Sequence, residues 1–429
     1  MNNIYKYDFA LRKNNDLIII WSDQFKSYYY PTTNRGKEFL ENCYIQKKIS
    51  LSEIHDQSLL RDLNSLGFSN EKTIRTLDLS KFHHVPMDVY FDFTHECNLK
   101  CAYCYSNKNK KDSILSPEMI SGIIFQLWQL GIYRLHLAGG EPTLYSKNLF
   151  SYIKSAYKYS ICTSITTNGL FQDEKIIENL IKYNIYSITF SIHAFSNEQL
   201  KSVSDNILKI KKLKQRSKSI PLVNIKYVWN GYTEMRDIER VIKFGNNLQV
   251  DCIKLNCTEK SPTLYEDENY FNKLCKKEID IRKIVEKYDV EIKLHNPFFN
   301  KEIIGMPGNM GCIGGQELLA ILPDSTITPC VMNTNPSFGN LINDYEGNLI
   351  KFLSSDILKK YQTYICSNIN DECLKCENFQ FCRGGSTTRQ IYKGQFECPY
   401  RHIIKISSNN LDEINTMTNF SKLNILHSL

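Results

Sequence analysis

The sequence predicts an α/β protein: a partial (β/α)6, TIM-like barrel carrying a small N-terminal winged-helix-like module and a Cys-rich C-terminal domain. Three observations predict it. Residues 86–258 alternate β-prone runs with amphipathic helical stretches. Residues 1–80 place short β-prone runs ahead of helical ones. Residues 311–402 are rich in Cys, Gly and Asn and show little apolar periodicity.

In the first unit, Leu17–Trp21 (LIIIW) and Ser27–Tyr30 (SYYY) read as strands, with Ser22–Asp23–Gln24 as a turn between them. Helices are expected at Arg35–Tyr44, Leu51–His55 and Leu59–Leu66, the last stopped by Gly67. That order suits a winged-helix-like module. Residues 71–85 read as a linker.

The barrel begins with a strand at Met87–Phe93. A helix over Ser116–Leu130 follows: Ser116 can cap it, Pro117 fits its first turn and Gly131 ends it. Ile120, Ile123, Ile124 and Leu127 share one face of that helix. Further strands are expected at Arg134–Ala138, Ile161–Thr166, Tyr186–Ile192, Val223–Trp229 and Asp251–Leu255. Six β-then-α units imply parallel strands joined by right-handed crossovers. Functional sites in such folds lie at the C-terminal ends of the strands. Residues 259–310 read as a mainly helical bridge and 403–429 as a tail. Over 311–402 the weak periodicity points to metal as the organising element.

Composition narrows the function classes. The 429 residues are 42% apolar, enough for a sizeable core. The net charge of +7 is spread among mixed signs, so no nucleic-acid partner is expected. Lys209–Lys218 is a local basic stretch that reads as the solvated face of a helix. No apolar run approaches the ~20 residues that span a bilayer. The N-terminal residues carry no signal-peptide core. A cytoplasmic protein is expected, and disulfides are disfavoured there, so clustered cysteines point to metal. Of the 15 cysteines, Cys43, Cys162, Cys252, Cys257 and Cys275 are scattered among apolar or helical positions. These five read as buried small hydrophobes.

Cys97, Cys101 and Cys104 form a C-x3-C-x2-C group directly after the first barrel strand. Thiolates at this spacing can hold three irons of a cubane and leave the fourth open. A closed zinc site would instead need a fourth ligand, and usually C-x2-C pairs. Gly139–Gly140–Glu141–Pro142 ends the second strand, Thr166–Thr167–Asn168–Gly169 the third and Ser191 the fourth. Glycines permit close backbone approach, and Glu141 can accept hydrogen bonds from an ammonium group.

The cysteine spacing, with Tyr103 at its aromatic position, resembles the radical S-adenosylmethionine (SAM) superfamily motif. Gly139–Pro142 resembles that family's GGEP segment, and Thr167–Asn168–Gly169 its TNG segment. The resemblance implies a [4Fe–4S] cluster on Cys97, Cys101 and Cys104. It implies SAM contacts from Tyr103, Gly139, Gly140, Glu141, Pro142, Thr167, Asn168 and Ser191. Relatives often read S-x-D-G where this chain has Ser191–Ile192–His193–Ala194. His193 then replaces an acid, as a proton donor, a substrate contact or a hydrogen-bonded structural residue.

Cys373, Cys376, Cys382 and Cys398 resemble the second half of a SPASM domain, which carries auxiliary [4Fe–4S] clusters. Cys312 and the Leu322–Cys330 segment resemble its first half, with Ser325 at a usual turn glycine. Four cysteines with this spacing also permit a structural zinc site. Ser386 stands where relatives carry a further cysteine, so the first auxiliary cluster keeps only Cys312 and Cys330 from the motif. Cys366 could fill in.

The resemblance implies a peptide maturase. SAM is cleaved to a 5′-deoxyadenosyl radical that abstracts hydrogen from a residue of a ribosomally made precursor peptide. A thioether, ether or carbon–carbon crosslink follows. Residues 1–80 resemble modules that bind a leader peptide as an added strand. A flavodoxin- or ferredoxin-like reductant is implied. The rival readings are a sulfatase-type protein maturase, a SAM-dependent dehydrogenase or epimerase of a small molecule, and a non-catalytic iron–sulfur regulatory protein.

Overall fold

The computed structural model describes residues 7–375 apart from 15–16, 24–26, 30–33, 49–50, 52–56, 58–59, 62–63, 65–73, 102, 107–114, 194, 215–220, 259–269, 296–312, 333 and 368–373. Most of each predicted helix at Leu51–His55 and Leu59–Leu66 lies outside the described residues; Leu60, Arg61 and Asn64 of the latter are helical.

The N-terminal unit comprises β1 (Phe9–Asn14), β2 (Leu17–Ser22), β3 (Ser27–Tyr29), α1 (Asn34–Gln46) and β4 (Ile74–Asp78). Its sheet order is β3-β2-β1-β4. The expected linker at 71–85 therefore needs correction. Ile74–Asp78 pairs in parallel with β1, and Leu79, Phe82 and Val85 enter the main core. Local pattern misses β4 because its apolar residues serve two cores: Ile74 packs with α1 and Leu77 against the barrel. The same sandwiching explains the unbroken run LIIIW. Ile18 and Ile20 face α1, while Ile19 and Trp21 pack with Met87, Tyr133 and Cys162 of the barrel. A strand buried on both faces does not alternate.

The barrel follows as β5 (Asp88–Asp92), α2 (Pro117–Gln129), β6 (Arg134–Ala138), α3 (Ser146–Lys158), β7 (Cys162–Thr167), α4 (Ile176–Lys182) and β8 (Ser187–Ile192). It continues with α5 (Asn197–Lys214), β9 (Leu222–Trp229), α6 (Met235–Asn247), β10 (Cys252–Cys257), α7 (Tyr270–Val285) and β11 (Glu291–His295). Ser116 caps α2 as expected, its hydroxyl accepting from Met119 N–H at 3.3 Å, and Gly131 ends it at φ +66°.

Two corrections extend the predicted six strands. The expected helical bridge at 259–310 contains α7 but then β11, which pairs in parallel with β10. Beyond it, β12 (Leu318–Ile321) pairs in parallel with β5, and β13 (Ile327–Thr328) pairs antiparallel with β12. In the turn between them Ser325 takes φ +70°, the conformation that makes glycine usual there. Helices α8 (Leu349–Leu353) and α9 (Ile357–Ser367) close the described chain apart from Leu374 and Lys375. Phe338, Leu341, Phe352, Leu358 and Ile365 join Leu319 and Ile327 in the main core. The described residues of 313–367 thus share in an ordinary apolar core.

One side chain per pair of residues decides which sheet face is inside. Leu135, Leu137, Ile165, Ile188, Phe190, Val223 and Ile225 pack with Ile124, Ile153, Ile207 and Val241 of the helices. The alternate positions form the other face: Tyr90, Asp92, His136, Ser164, Thr189, Ser191, Asn224, Lys226 and Lys254. A parallel sheet with its helices on one face curls so that the uncovered face becomes the lumen. The lumen here is polar.

The N-terminal sheet docks at the barrel end opposite the functional loops. The Arg12 guanidinium donates to the carbonyls of Val85 (2.7 Å), Pro86 (3.2 Å) and Gly131 (3.2 Å). Tyr28 Oη accepts from Tyr133 N–H at 3.0 Å. Arg75 stacks 3.7 Å over the Trp128 ring and donates to its carbonyl at 2.6 Å.

Candidate active site

The cysteine loop leaves the C-terminal end of β5 and is held by the turn after β6. Gly140 N–H donates to Thr94 O at 2.5 Å, and Glu141 N–H to Glu96 O at 2.8 Å. Gly139 lies at φ +121°, and a Cβ there would meet Thr94 O at 2.5 Å. A Cβ on Gly140 would overlap the Glu96 carbonyl. Both glycines therefore let backbone pack on backbone just ahead of Cys97.

Cys97, Cys101 and Cys104 are all partly exposed on this loop. Cys104 N–H donates to Cys101 O at 3.2 Å, closing a turn. Leu99 N–H points at Cys97 Sγ from 3.3 Å, and Asn168 Nδ2 from 3.9 Å. Asn168 also donates to Asn98 Oδ1 (2.6 Å), and Asn98 Nδ2 to Leu170 O (3.3 Å), so the TNG turn and the cysteine loop are tied together. Among the described residues no three His, Cys, Asp or Glu side chains close on a single metal ion. A cubane asks for something different, one thiolate on each of three irons. The donor set fits it: three accessible thiols on one loop, with N–H groups already directed at a sulfur.

Glu141 is fully buried. Its Oε1 accepts from Thr143 N–H (3.1 Å), Thr143 Oγ1 (2.7 Å) and Thr167 Oγ1 (2.8 Å), and its Oε2 from Asn168 N–H (2.7 Å). Burial raises its pKa and these donors oppose the rise. The carboxylate staples the ends of β6 and β7. Thr167 is likewise engaged, and Pro142 opens a 3₁₀ turn, Pro142–Tyr145.

Tyr103 and His193 meet across the site, Tyr103 Oη lying 2.8 Å from His193 Nδ1. Burial foremost, and then Cys101, raise the Tyr103 pKa, so the phenol stays protonated. His193 N–H donates to Gln199 Oε1 at 3.2 Å. Gln199 Nε2 donates to Ser191 O (2.9 Å) and Asn168 O (3.1 Å), joining the ends of β7 and β8. Sequence reading passed over Gln199. It opens α5 behind Ser196, whose Oγ accepts from Gln199 N–H at 3.1 Å as an N-cap, which leaves the Gln199 side chain to bridge the strand ends. Ser191 is buried. Also passed over were Asp92, His95 and Tyr105. Tyr105 Oη donates to Asp92 Oδ1 at 3.3 Å, and His95 Nε2 lies 3.9 Å from Asp92 Oδ2. Both flanks of the cysteine loop are so anchored to the end of β5, a link that no local pattern carries.

Ala194, Cys312, Cys373, Cys376, Cys382, Ser386 and Cys398 lie outside the described residues, as do the side chains of Cys275 and Cys366. Cys330 is partly exposed, and its carbonyl accepts from Thr328 Oγ1 at 3.1 Å. Cys43, Cys162, Cys252 and Cys257 are buried, as expected of small hydrophobes. Among the described residues no helix is long and apolar enough to cross a membrane.

Comparison with known proteins gives this geometry a family. Residues 91–244 match the family model "Radical SAM superfamily". The chain is 27% identical over 330 residues to the radical SAM cyclopropyl synthase TigE of Paramaledivibacter caminithermalis, covering 68% of this chain and 66% of that protein. It is 34% identical over 109 residues to a PqqA peptide cyclase of Granulibacter bethesdensis, covering 25% of this chain and 29% of that one. Its fold is similar to Streptococcus suis SuiB bound to its precursor peptide SuiA, with TM-score 0.64 and 15% identity, over 91% of this chain and 96% of that one. The radical SAM family uses a [4Fe–4S] cluster and SAM. Residues 91–244 of the chain therefore carry a radical SAM domain.

Proposed function

We propose that the protein is a radical SAM peptide maturase that modifies a residue of a ribosomally made precursor peptide. The observation that carries this reading is the Cys97–Cys101–Cys104 loop, fixed at the C-terminal end of a sheet whose uncovered face is polar. The PqqA peptide cyclase, by its name, and SuiB, bound to its precursor peptide SuiA, support peptide as the substrate class. The chemistry that a [4Fe–4S] cluster supplies with SAM is reductive cleavage of the sulfonium, giving methionine and a hydrogen-abstracting 5′-deoxyadenosyl radical. The chain's own residues do the rest. Gly139 and Gly140 fix the loop, Glu141, Asn168 and Gln199 align three strand ends, and the barrel shields the reacting carbon from water.

The outer strand β3 has β2 as its partner among the described residues, so its other edge can take a leader peptide as an added strand. A flavodoxin- or ferredoxin-like protein serves as reductant, and the setting is the cytoplasm. Cys373, Cys376, Cys382 and Cys398 serve as ligands of an auxiliary cluster. Ser386 leaves Cys312 and Cys330 short of a full second set.

Anaerobically reconstituted protein given dithionite and SAM should release 5′-deoxyadenosine, and Cys101→Ala should abolish it. Turnover surviving that substitution would refute the assignment. Iron analysis should give about eight irons per chain for two cubanes. A count near about twelve that drops by about four in Cys312→Ala would establish a third cubane.

A further inference from the structure

The lumen wall formed by the last three barrel strands carries a row of lysines. Ser191 on β8 is the cross-strand partner of Lys226 on β9, Lys226 of Lys254 on β10, and Lys254 of Lys293 on β11. Cross-strand partners share a face, and this face is the uncovered one, because Ile225, Tyr227, Ile253 and Leu255 point into the helix-covered core. All three lysines are half-buried.

Among the described residues, little negative charge faces Lys226 and Lys254. Asp88 is held by Arg134 at 2.9 Å, and Asp92 sits under Tyr105 and His95. Glu291 lies 3.5 Å from Lys293 and is itself exposed. Burial pushes the Lys226 ammonium down to about 8, helped by Lys254, and burial lowers Lys254 as well. Adjacent, partly buried ammonium groups such as those of Lys226 and Lys254 repel one another and destabilise the empty protein. A ligand that brings negative charge removes that cost. A second observation points the same way. Asn256 lies two residues beyond Lys254 on the same face, and its buried Oδ1 has no hydrogen-bond partner among the described residues. A buried amide oxygen of that kind suits a ligand N–H.

We propose that the Lys226–Lys254–Lys293 row binds the carboxylate of an acidic residue in the peptide substrate, with Asn256 Oδ1 accepting a substrate N–H. The inference rests on the maturase reading, and it narrows the substrate to peptides that place Asp, Glu or a terminal carboxylate in the lumen. SAM also carries a carboxylate, so the test needs an arm for each source.

Cluster-loaded, SAM-saturated protein is titrated with acetyl-Gly-Glu-Gly-amide and acetyl-Gly-Gln-Gly-amide, followed by saturation-transfer NMR. Wild type should favour the Glu peptide by about tenfold. The Lys226→Met/Lys254→Met double variant should lose the preference, and Lys226→Arg should keep it. SAM affinity of the double variant should stay within about twofold of wild type. Equal binding of the two peptides by wild type overturns the proposal, as does a preference that survives the double substitution. A loss of SAM affinity of about tenfold in the double variant also overturns it, assigning the row to SAM. Should the double variant fail to fold, Lys254→Gln alone is read by the same criteria. The readout is binding, so a failure to produce 5′-deoxyadenosine would sink the maturase reading while leaving this result legible.

Discussion

The Tyr103 hydroxyl lies 2.8 Å from His193 Nδ1, which joins the cysteine loop of β5 to the end of β8 across the mouth of the barrel. His193 stands where relatives often carry an acid, and here it receives the loop's aromatic residue instead. Tyr103→Phe and His193→Gln should each speed loss of the cluster absorbance in urea. The double variant should be little worse than either single one, a coupling of about 1 kcal/mol. Additive effects would show that the two side chains act separately.

Gly140 has no room for a methyl group, because a Cβ there would overlap the Glu96 carbonyl. Gly140→Ala should push residues 94–96 away and cost about 2 kcal/mol. Iron bound after reconstitution should fall, while the far-UV spectrum stays that of the wild type. Full iron loading in this variant would mean that the loop is not set by the β6 turn.

Glu141 gives acceptors to four donors and has no cationic partner among these bonds. In Glu141→Gln one oxygen becomes an NH2 that faces an N–H or a hydroxyl donor. The substitution should destabilise by about 1–3 kcal/mol in urea melts, and SAM affinity should fall as Asn168 loses its anchor. An unchanged urea midpoint would disprove the staple role.

His84 is bonded to the Gln316 backbone, and burial, with Arg12 nearby, lowers its pKa from 6.5 to about 4. A base whose pKa falls on folding is neutral in both states above its unfolded value, so its contribution is complete there. Between pH 6.5 and about 4 the unfolded chain takes a proton that the folded one refuses, and stability drops. The loss should be about 1–2 kcal/mol after solvent screening. His84→Phe should flatten the decline of the urea midpoint between these pH values, and an identical slope in both proteins would rule this out.

Strand and helix order over 86–258 was legible because each barrel strand and helix has its own apolar period and its own stop signals. Ser116, Pro117 and Gly131 bound one helix as read. The cysteine loop was legible because ligand spacing is local. Pairing is not local. β4 and β11 are short segments that become strands only because β1 and β10 offer an open edge, and β12 adds to β5 from far along the chain. Register is likewise collective. Lys226, Lys254 and Lys293 are unremarked singly, and only the parallel alignment of β9, β10 and β11 makes them neighbours on one wall. The roles of Glu141 and Gln199 follow the same rule. The sequence by itself determined which residue types could bind iron and where strands could begin. Tertiary structure decided which oxygens those side chains would hold, because a buried polar atom takes the nearest partner that the packed fold provides.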